Sequence, residues 1–267
     1  MGMTERLGAE LIVPDWPRLP AGIKALASTR RGGVSSGPYD DGAGGGGLNL
    51  GMHVGDDAAA VYANRALVAA SLPGAPAWIS QVHGVDVVDA ASVGPGQPVR
   101  VADASFATQT GVVCAVMTAD CLPVLFADLD GKLVGAAHAG WRGLADGVLA
   151  RTVAAMRANG AGEITAWLGP AIGKDRFEVG MDVMERFMAD AVEPANVQAA
   201  FAAFPGRPGK YLADMNALAR LLLAQDGVVD VAGGNYCTAS DAGRFYSYRR
   251  DGITGRLASM IWLDNQG

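Results

Sequence analysis

Two histidines and one cysteine share one local context, the point where an apolar run gives way to a turn. His83 lies in QVHG, Cys121 in MTADCLP and His138 in AAHAGWRG. Neutral imidazole and thiolate are ligands that zinc prefers, and a catalytic zinc site uses three protein ligands and keeps a fourth position open. The intervening 37 and 16 residues are too many for a zinc finger or ribbon. Spacing alone therefore also allows three ordinary buried side chains.

The same residues support a second interpretation, in which Cys121 is a nucleophile. His138 or His83 would serve as its base, and Asp120 or another polar group would orient the imidazole. Cys114 lies inside an apolar run, where burial is the default. A metal site and a cysteine hydrolase site both remain open at this stage.

The elements that position these residues are short strands and amphipathic helices. Apolar periodicity and capping residues predict helices over roughly residues 58–72, 144–159, 181–189 and 213–225. Strands are predicted at AWISQVHG, VDVVDA, VVCAVMTADC, PVLFADLDG, KLVGAAHAGW, EITAWLG, VVDVAG, RFYSYR and RLASMIWL. Pro123 is expected to prevent simple continuation of the strand before Cys121. We expect the late strands to pair with earlier ones.

A Gly-rich stretch from Ser28 to Gly51 precedes these elements and is predicted to be one long loop, either a binding loop or a linker. Arg30 in this loop and Arg142 at the start of the main helix are candidates for binding an anion, although each also suits an ordinary surface charge. His53 is expected to hydrogen bond behind the ligands rather than bind a metal.

Composition limits the class of protein. Of the 267 residues, 50% are hydrophobic and 18% are charged, which favours a globular chain that we expect to form one domain over residues 1–267. The net charge of −6, without a basic cluster, disfavours nucleic acid as a partner. No apolar run is long enough to predict a signal peptide or a membrane span. Free thiols fit a reducing compartment, so the sequence predicts a cytoplasmic protein.

Several segments together resemble one family. They are STRRGGVS, LNLGMHVGDD, ISQVHGVDV, TADCLPVLFAD, AAHAGWRG, LGPAIG with FEVG, and CTASDAGRFYSYRRDGITGRLASMIWL. The family is the laccase-domain family, also described as multicopper polyphenol oxidoreductases, peptidoglycan-editing factors or purine nucleoside phosphorylases. The likeness runs from about Ser28 to Leu263. The GAGGGG stretch departs from the shorter turn that we expect of the family.

The resemblance implies an α+β fold, with mixed β-sheets in a sandwich-like core covered by helices, similar to the catalytic fold of a deamidating bacterial toxin. It implies a zinc site formed by His83, Cys121 and His138. Copper is less favoured, because three histidines are too few for a multicopper oxidase.

The resemblance further implies phosphorolysis of adenosine, inosine and methylthioadenosine, and deamination of adenosine. Cys121, His138 and Asp120 are then the expected catalytic residues, with Asp120 managing protons. Purine nucleosides and phosphate would be bound by four further residues, Arg30, Asn49, Gln81 and Arg142. The alternatives are a Cys121/His138 amidohydrolase that edits peptidoglycan precursors, and a non-catalytic zinc-binding protein.

Overall fold

Two large β-sheets form the centre of the fold. The computed structural model describes residues 9–94 and 96–264. The first sheet has the strand order β1 (Leu11–Ile12), β2 (Ile23–Ser28), β15 (Leu257–Leu263), β7 (Val113–Thr118) and β4 (Pro76–Ala77). The second has the order β14 (Val231–Gly233), β10 (Ile164–Leu168), β8 (Leu122–Asp128), β9 (Val134–Ala139), β6 (Ala104–Ala107) and β5 (Val87–Asp89). Both are mixed, since β4, β5 and β14 pair in parallel and the other pairs are antiparallel.

The two sheets pack face to face because their strands alternate between two buried faces. In β8, Leu125 contributes to the core between the sheets, with Ile261 from β15 and Trp167 from β10. Val124 and Phe126 of β8 point to the opposite side, into a core shared with helices. A strand buried on both faces reads as a continuous apolar run, which is why PVLFAD shows no polar alternation.

Helices cover both outer faces of this sandwich. On the side of the second sheet lie α2 (Trp141–Ala145), α3 (Val148–Ala158), α4 (Met181–Ala189), α5 (Pro194–Ala199) and α6 (Met215–Gln225), beside a small sheet of β11 (Glu178–Gly180), β13 (Lys210–Ala213) and β12 (Phe201–Ala203). On the side of the first sheet lies α1 (Ala58–Ala69), which buries Val68. The sandwich of mixed sheets covered by helices confirms the predicted α+β class.

Several helices and strands that were predicted from local signals are present in the structure. The helix beginning after Asp57 is α1, and the Asp57 carboxylate accepts a hydrogen bond from the amide of Ala59. The helix predicted over 181–189 is α4, with the same bounds. The helix predicted over 144–159 divides into α2 and α3, because Gly147 adopts a left-handed conformation with φ of 93°. The late strands β14 and β15 pair with earlier ones, as predicted.

Other local predictions are wrong. The segment RFYSYR contains no strand; it enters α7 (Tyr248–Asp251), and Phe245 and Tyr246 are buried by tertiary packing rather than by sheet pairing. The Gly-rich stretch is not one loop, because it contains β3 (Arg31–Ser35) and the 3-10 helix Gly37–Tyr39; a second 3-10 helix covers Ala90–Ser92. Pro123 lies within β8, at the second position of the strand, where a missing amide donor is tolerated.

A candidate metal site in a cavity between the sheets

The three predicted ligands converge. One nitrogen from each histidine and the thiol sulfur of Cys121 lie within 4.8 Å of one another. The sulfur is 3.5 Å from Nε2 of His83, and the two imidazole rings meet edge to face with centroids 4.7 Å apart. Zinc ligand atoms at bond lengths of about 2.0–2.3 Å in tetrahedral geometry lie about 3.3–3.8 Å from each other. This donor set therefore fits a zinc ion after only a small inward movement.

Three chain segments bring these side chains together. His138 is buried within β9, Cys121 precedes β8, and His83 lies in an exposed turn between β4 and β5. The strands β8 and β9 pair antiparallel with Leu122 opposite Ala139, so the start of one strand lies beside the end of the other. This register places Cys121 next to His138 although 16 residues separate them.

Asp103 organises the site from behind. Its carboxylate has no exposed surface, and it accepts hydrogen bonds from the backbone amides of Val82 at 3.1 Å, His83 at 2.9 Å and Gly84 at 2.7 Å. Oδ1 also lies 2.8 Å from Nδ1 of His138. Together these bonds hold His83 at φ of 61°, a left-handed conformation that is uncommon for residues other than glycine.

The contact between Asp103 and His138 fixes which ring nitrogen is available. Because Nδ1 of His138 donates to the carboxylate, Nε2 remains for a metal or for Cys121. A carboxylate behind a ligating histidine is the usual arrangement in zinc proteins. Burial by itself raises the pKa of Asp103, but the hydrogen bonds from His138 and from the amides of Gly84 and Val82 outweigh it and bring the pKa below its ordinary value.

The electrostatics favour a thiolate at Cys121. Burial alone raises the pKa of this thiol, but hydrogen bonds with His138 and His83 and their charges lower it to about 6. In contrast, burial raises the pKa of Cys114 to about 12. Burial lowers the pKa of His138, whereas its bonds with Asp103 and Cys121 raise it to a final value of about 9. The two groups therefore favour each other's charged forms, thiolate at Cys121 and imidazolium at His138, and His138 must lose its proton to bind zinc.

The ligands lie in the wall of a cavity of about 630 Å³. Its remaining lining residues are His53, Ile79, Ser80, Gln81, Met117, Thr118, Ala119, Tyr248 and Arg256. Gln81 is held there because its amide bonds both the carbonyl of Met117 at 2.7 Å and the amide of Met117 at 2.8 Å. Cavities of about 300–1,000 Å³ are typical of small-molecule sites.

Of the predicted substrate-binding residues, only Gln81 lines this cavity. Asn49 is buried behind it and binds the backbone of Gly51 and Arg256. The Arg30 guanidinium is also buried, where it holds the carbonyl oxygens of Asp40 and Ala242, each at 3.0 Å. Arg142 is exposed and stacks over the ring of Trp141. The two arginines singled out as anion ligands therefore lie outside the cavity lining.

Asp120 precedes Cys121 in the chain but is not among the residues that line this cavity. Its carboxylate accepts hydrogen bonds from the hydroxyls of Thr238 at 2.6 Å and Ser247 at 3.0 Å and from the amide of Arg249 at 2.6 Å. These bonds tie the segment that contains α7 to the start of β8. They engage the Asp120 carboxylate with three donors beside Cys121.

Three residues of the site escaped sequence analysis. Asp103 precedes an apolar strand in VADASF, and Arg256 precedes one in GITGRLASM. The only signal in the sequence was that each is a charged residue next to a strand. Tyr248 reaches the cavity because its segment is a helix rather than the predicted strand. His53 also lines the cavity. Its pKa is lowered mainly by burial and further by the positive charges of Arg256 and Arg65.

Comparison with known proteins places these features in context. The family described as multi-copper polyphenol oxidoreductase laccase matches residues 24–264. The chain is 50% identical over 259 residues to purine nucleoside phosphorylase YfiH of Escherichia coli K12, covering 96% of this chain and 99% of that protein. It is 49% identical over 255 residues to a purine nucleoside phosphorylase of Pseudomonas aeruginosa, covering 95% and 98%. A Neisseria meningitidis crystal structure matches with a TM-score of 0.85, 49% identity and coverage of 96% and 99%.

Proposed function

This chain belongs to the multi-copper polyphenol oxidoreductase laccase family, and we propose that it is a zinc-dependent purine nucleoside phosphorylase. The convergence of His83, Cys121 and His138 in the wall of one cavity is the observation that carries the proposal. Relatives that match nearly the full chain at 49–50% identity are named purine nucleoside phosphorylases. The three unpaired cysteines suit a reducing compartment, and we propose that the enzyme works in the cytoplasm.

The proposed substrates are adenosine, inosine and methylthioadenosine, with phosphate as the second substrate. A phosphate oxygen forms a bond to C1′ of the ribose as the C1′–N9 bond breaks. The purine leaves with the electron pair of that bond and takes up the proton that hydrogen phosphate loses, which gives the free base and ribose 1-phosphate, or 5-methylthioribose 1-phosphate from methylthioadenosine. Deamination of adenosine, in which water replaces the amino group and ammonia leaves, is proposed as a second activity.

Zinc fits the donor set better than copper does. Thiolate and imidazole are both zinc ligands, and three protein ligands leave the open fourth position of a catalytic zinc site, whereas a multicopper centre needs more histidines than the three in this chain. When bound, zinc supplies a Lewis acid that polarises a substrate or water oxygen. His83, Cys121 and His138 would hold the ion, and Asp103 keeps His138 in the tautomer that leaves Nε2 free.

Other residues of the chain shape the space around the reacting groups. Gln81 is locked to the Met117 backbone, so it forms a rigid part of the cavity wall. Tyr248 brings an aromatic ring to the same wall, and aromatic rings stack on purine bases. A role for Asp120 in moving protons remains a prediction. Its carboxylate already accepts three hydrogen bonds from the protein.

A cysteine amidohydrolase acting on peptidoglycan precursors is the second candidate function. One observation favours it. The side chains of Cys121, His138 and Asp103 form the hydrogen-bonded series of nucleophile, base and orienting carboxylate that cysteine hydrolases use. In that mechanism the sulfur of Cys121 attacks an amide carbon, His138 donates the proton that the leaving amine takes, and water later releases the acyl group.

The decisive experiment measures zinc content and turnover on the same samples. Purified protein, protein stripped with a chelator and protein reloaded with zinc are assayed for free base and ribose 1-phosphate from nucleoside and phosphate. We expect activity to disappear and return with the metal. Cys121→Ala should lose zinc and turnover together, because two neutral imidazoles remain; Cys237→Ala, which alters a thiol outside the cavity, should lose neither. Full phosphorolysis in stripped wild-type protein would overturn the zinc mechanism, whereas cleavage of a peptidoglycan-precursor amide by the stripped protein, without phosphorolysis, would support the hydrolase.

A further inference from the structure

The cavity beside the candidate metal site has an unbalanced charge. Its twelve lining residues include one arginine, Arg256, and three histidines, but neither aspartate nor glutamate; the one anionic group in the lining is the Cys121 thiolate, whose charge a bound zinc ion would offset. A guanidinium that lines a pocket without a carboxylate bonded to it attracts an anion, and the low dielectric of a cavity strengthens that attraction. Arg30 and Arg142, which the sequence suggested for this purpose, do not line it.

Arg256 is half-buried and its guanidinium has free donor capacity. Nη1 donates to the carbonyl oxygens of Thr254 and Gly255, each at 3.1 Å. Within residues 9–94 and 96–264 no carboxylate forms an ion pair with it, whereas Arg30, Arg31, Arg244 and Arg250 each have an acidic partner. An arginine presents five N–H donors in a fork that matches phosphate oxygens. The remaining donors of Arg256 are therefore available to a ligand.

The fold holds this side chain in a fixed place. The amide of Arg256 donates to Oδ1 of Asn49 at 2.8 Å, and Asn49 is itself held by Asp56 at 2.8 Å. The aliphatic stem of Arg256 lies against Gly51, where a Cβ atom would come within 2.6 Å of its Cγ atom. The LNLG motif thus leaves room for this arginine, and the buried Asn49 has a role although it does not reach the cavity.

We propose that Arg256 binds the phosphate co-substrate in the cavity that contains His83, Cys121 and His138, with His53 as a neighbouring donor. This inference rests on the proposed phosphorolysis, and it assigns the phosphate subsite of that reaction. A bound dianion at this position lies in the same cavity as the nucleoside, where one of its oxygens can form the new bond to C1′ while the bond from C1′ to the purine nitrogen breaks.

Direct binding of inorganic phosphate tests the assignment without requiring turnover. Isothermal titration in buffer free of sulfate compares wild-type protein, Arg256→Gln, Arg256→Lys and the control Arg151→Gln, which removes a charge from the exposed face of α3. Loss of a charged hydrogen bond predicts a phosphate affinity roughly 10–100-fold lower in Arg256→Gln. Arg256→Lys should lie between, and Arg151→Gln should match wild type. The titration is repeated on metal-stripped protein so that phosphate bound to zinc is counted separately.

Steady-state kinetics provide a second readout. Arg256→Gln should raise KM for phosphate by a similar factor, with KM for the nucleoside and the zinc content unchanged. Gly51→Ala displaces the arginine stem without removing its charge, and it should weaken phosphate binding as well. This variant replaces Arg256→Gln in the test if Arg256→Gln fails to fold. Equal phosphate affinity in wild type and in both variants would overturn the assignment. If wild type binds phosphate through Arg256 but never cleaves a nucleoside, the proposed function fails while the anion site stands.

Discussion

At the scale of single residues, Asp103 decides whether the three ligands form a site. One carboxylate accepts from three consecutive backbone amides and from the His138 ring. The amide bonds place His83 and the ring bond places His138. The same group therefore fixes two of the three ligands, and it does so from a position that has no contact with solvent.

Asp103→Asn should weaken the site without removing a ligand. The amide nitrogen of asparagine would face N–H donors, so at least one buried donor would lose its acceptor. We expect the zinc affinity to fall by about 10–100-fold, as is usual for the partner of a ligating histidine. Zinc competition with a chromophoric chelator measures it, with Asp130→Asn, a change in an exposed turn, as the matched control. Unchanged affinity would show that Asp103 does not support the ligands.

The pKa of Asp103 adds a prediction about acid stability. Because its folded pKa lies below the ordinary value of about 3.9, the carboxylate stabilises the fold at pH above that value. This contribution is lost as the pH falls through the folded pKa. Urea denaturation of metal-stripped protein at pH values from about 7 down to about 3 should show a smaller loss of unfolding free energy on acidification in Asp103→Asn than in wild type.

At the scale of elements, the junction between β9 and α2 decides how closely the ligands approach. Gly140 sits between them, and a Cβ atom there would lie 2.4 Å from Cδ2 of His83 and 3.2 Å from Sγ of Cys121. The first distance is far below van der Waals contact. The first glycine of HAGWRG is therefore required by the side chains of His83 and Cys121 rather than by its own backbone, which has an ordinary φ of −61°.

Gly140→Ala should disrupt the site while leaving all three ligands in the chain. The His83 ring must move away, and a misplacement of about 1 Å can lower activity by about 100-fold. Zinc content and nucleoside phosphorolysis are measured together, and Gly22→Ala, where a Cβ atom meets nothing within 4 Å, is the control. Normal zinc binding in Gly140→Ala would contradict the ligand geometry.

The segment around α7 provides a second test at this scale. Asp120→Asn should lower the unfolding free energy by about 1–3 kcal/mol, because the new amide cannot accept from all three donors that now bind the carboxylate. Thr238→Val, which removes one donor, should change stability in the same direction and by less. If Asp120 only positions Cys121 and α7, kcat falls in both variants and the pH profile keeps its shape. Loss of one limb of the pH profile in Asp120→Asn alone would instead assign it the proton-transfer role.

At the scale of the whole molecule, the site joins parts of the chain that are far apart in sequence. The ligands come from the turn after β4, from the start of β8 and from β9, and Arg256 comes from the segment before β15. The strand β15 lies between β2 and β7, so the end of the chain completes the sheet that begins near its start. None of the described helices is both long and apolar enough to cross a membrane.

Because zinc would link three separate segments in the folded state alone, it should stabilise the whole fold. Free zinc at about 100 times its dissociation constant contributes about 2.7 kcal/mol, which corresponds to a rise in Tm of roughly 5–10 °C for a chain of this size. Differential scanning calorimetry of stripped and reloaded protein measures the shift. Cys121→Ala should show little or none of it, and an equal shift in that variant would mean that zinc binds elsewhere.

The sequence by itself determined the elements whose signals are local, and it singled out the three candidate ligands that the structure brings together. The Asp57 cap and the apolar period predict α1, and the position of His83, Cys121 and His138 at the ends of apolar runs pointed to one site. Such signals work because capping and side-chain periodicity act between residues a few positions apart.

Tertiary structure alone decided what each remaining polar residue does. Arg30 bonds the carbonyl of Ala242, 212 residues away, and this contact turns a candidate anion ligand into a buried support. Asp103 and Arg256 acquire their roles from amides and a cavity that form only when the sheets pack. The physical reason is that a charged side chain binds whichever partner the fold brings within hydrogen-bond distance, and sequence separation does not encode that distance.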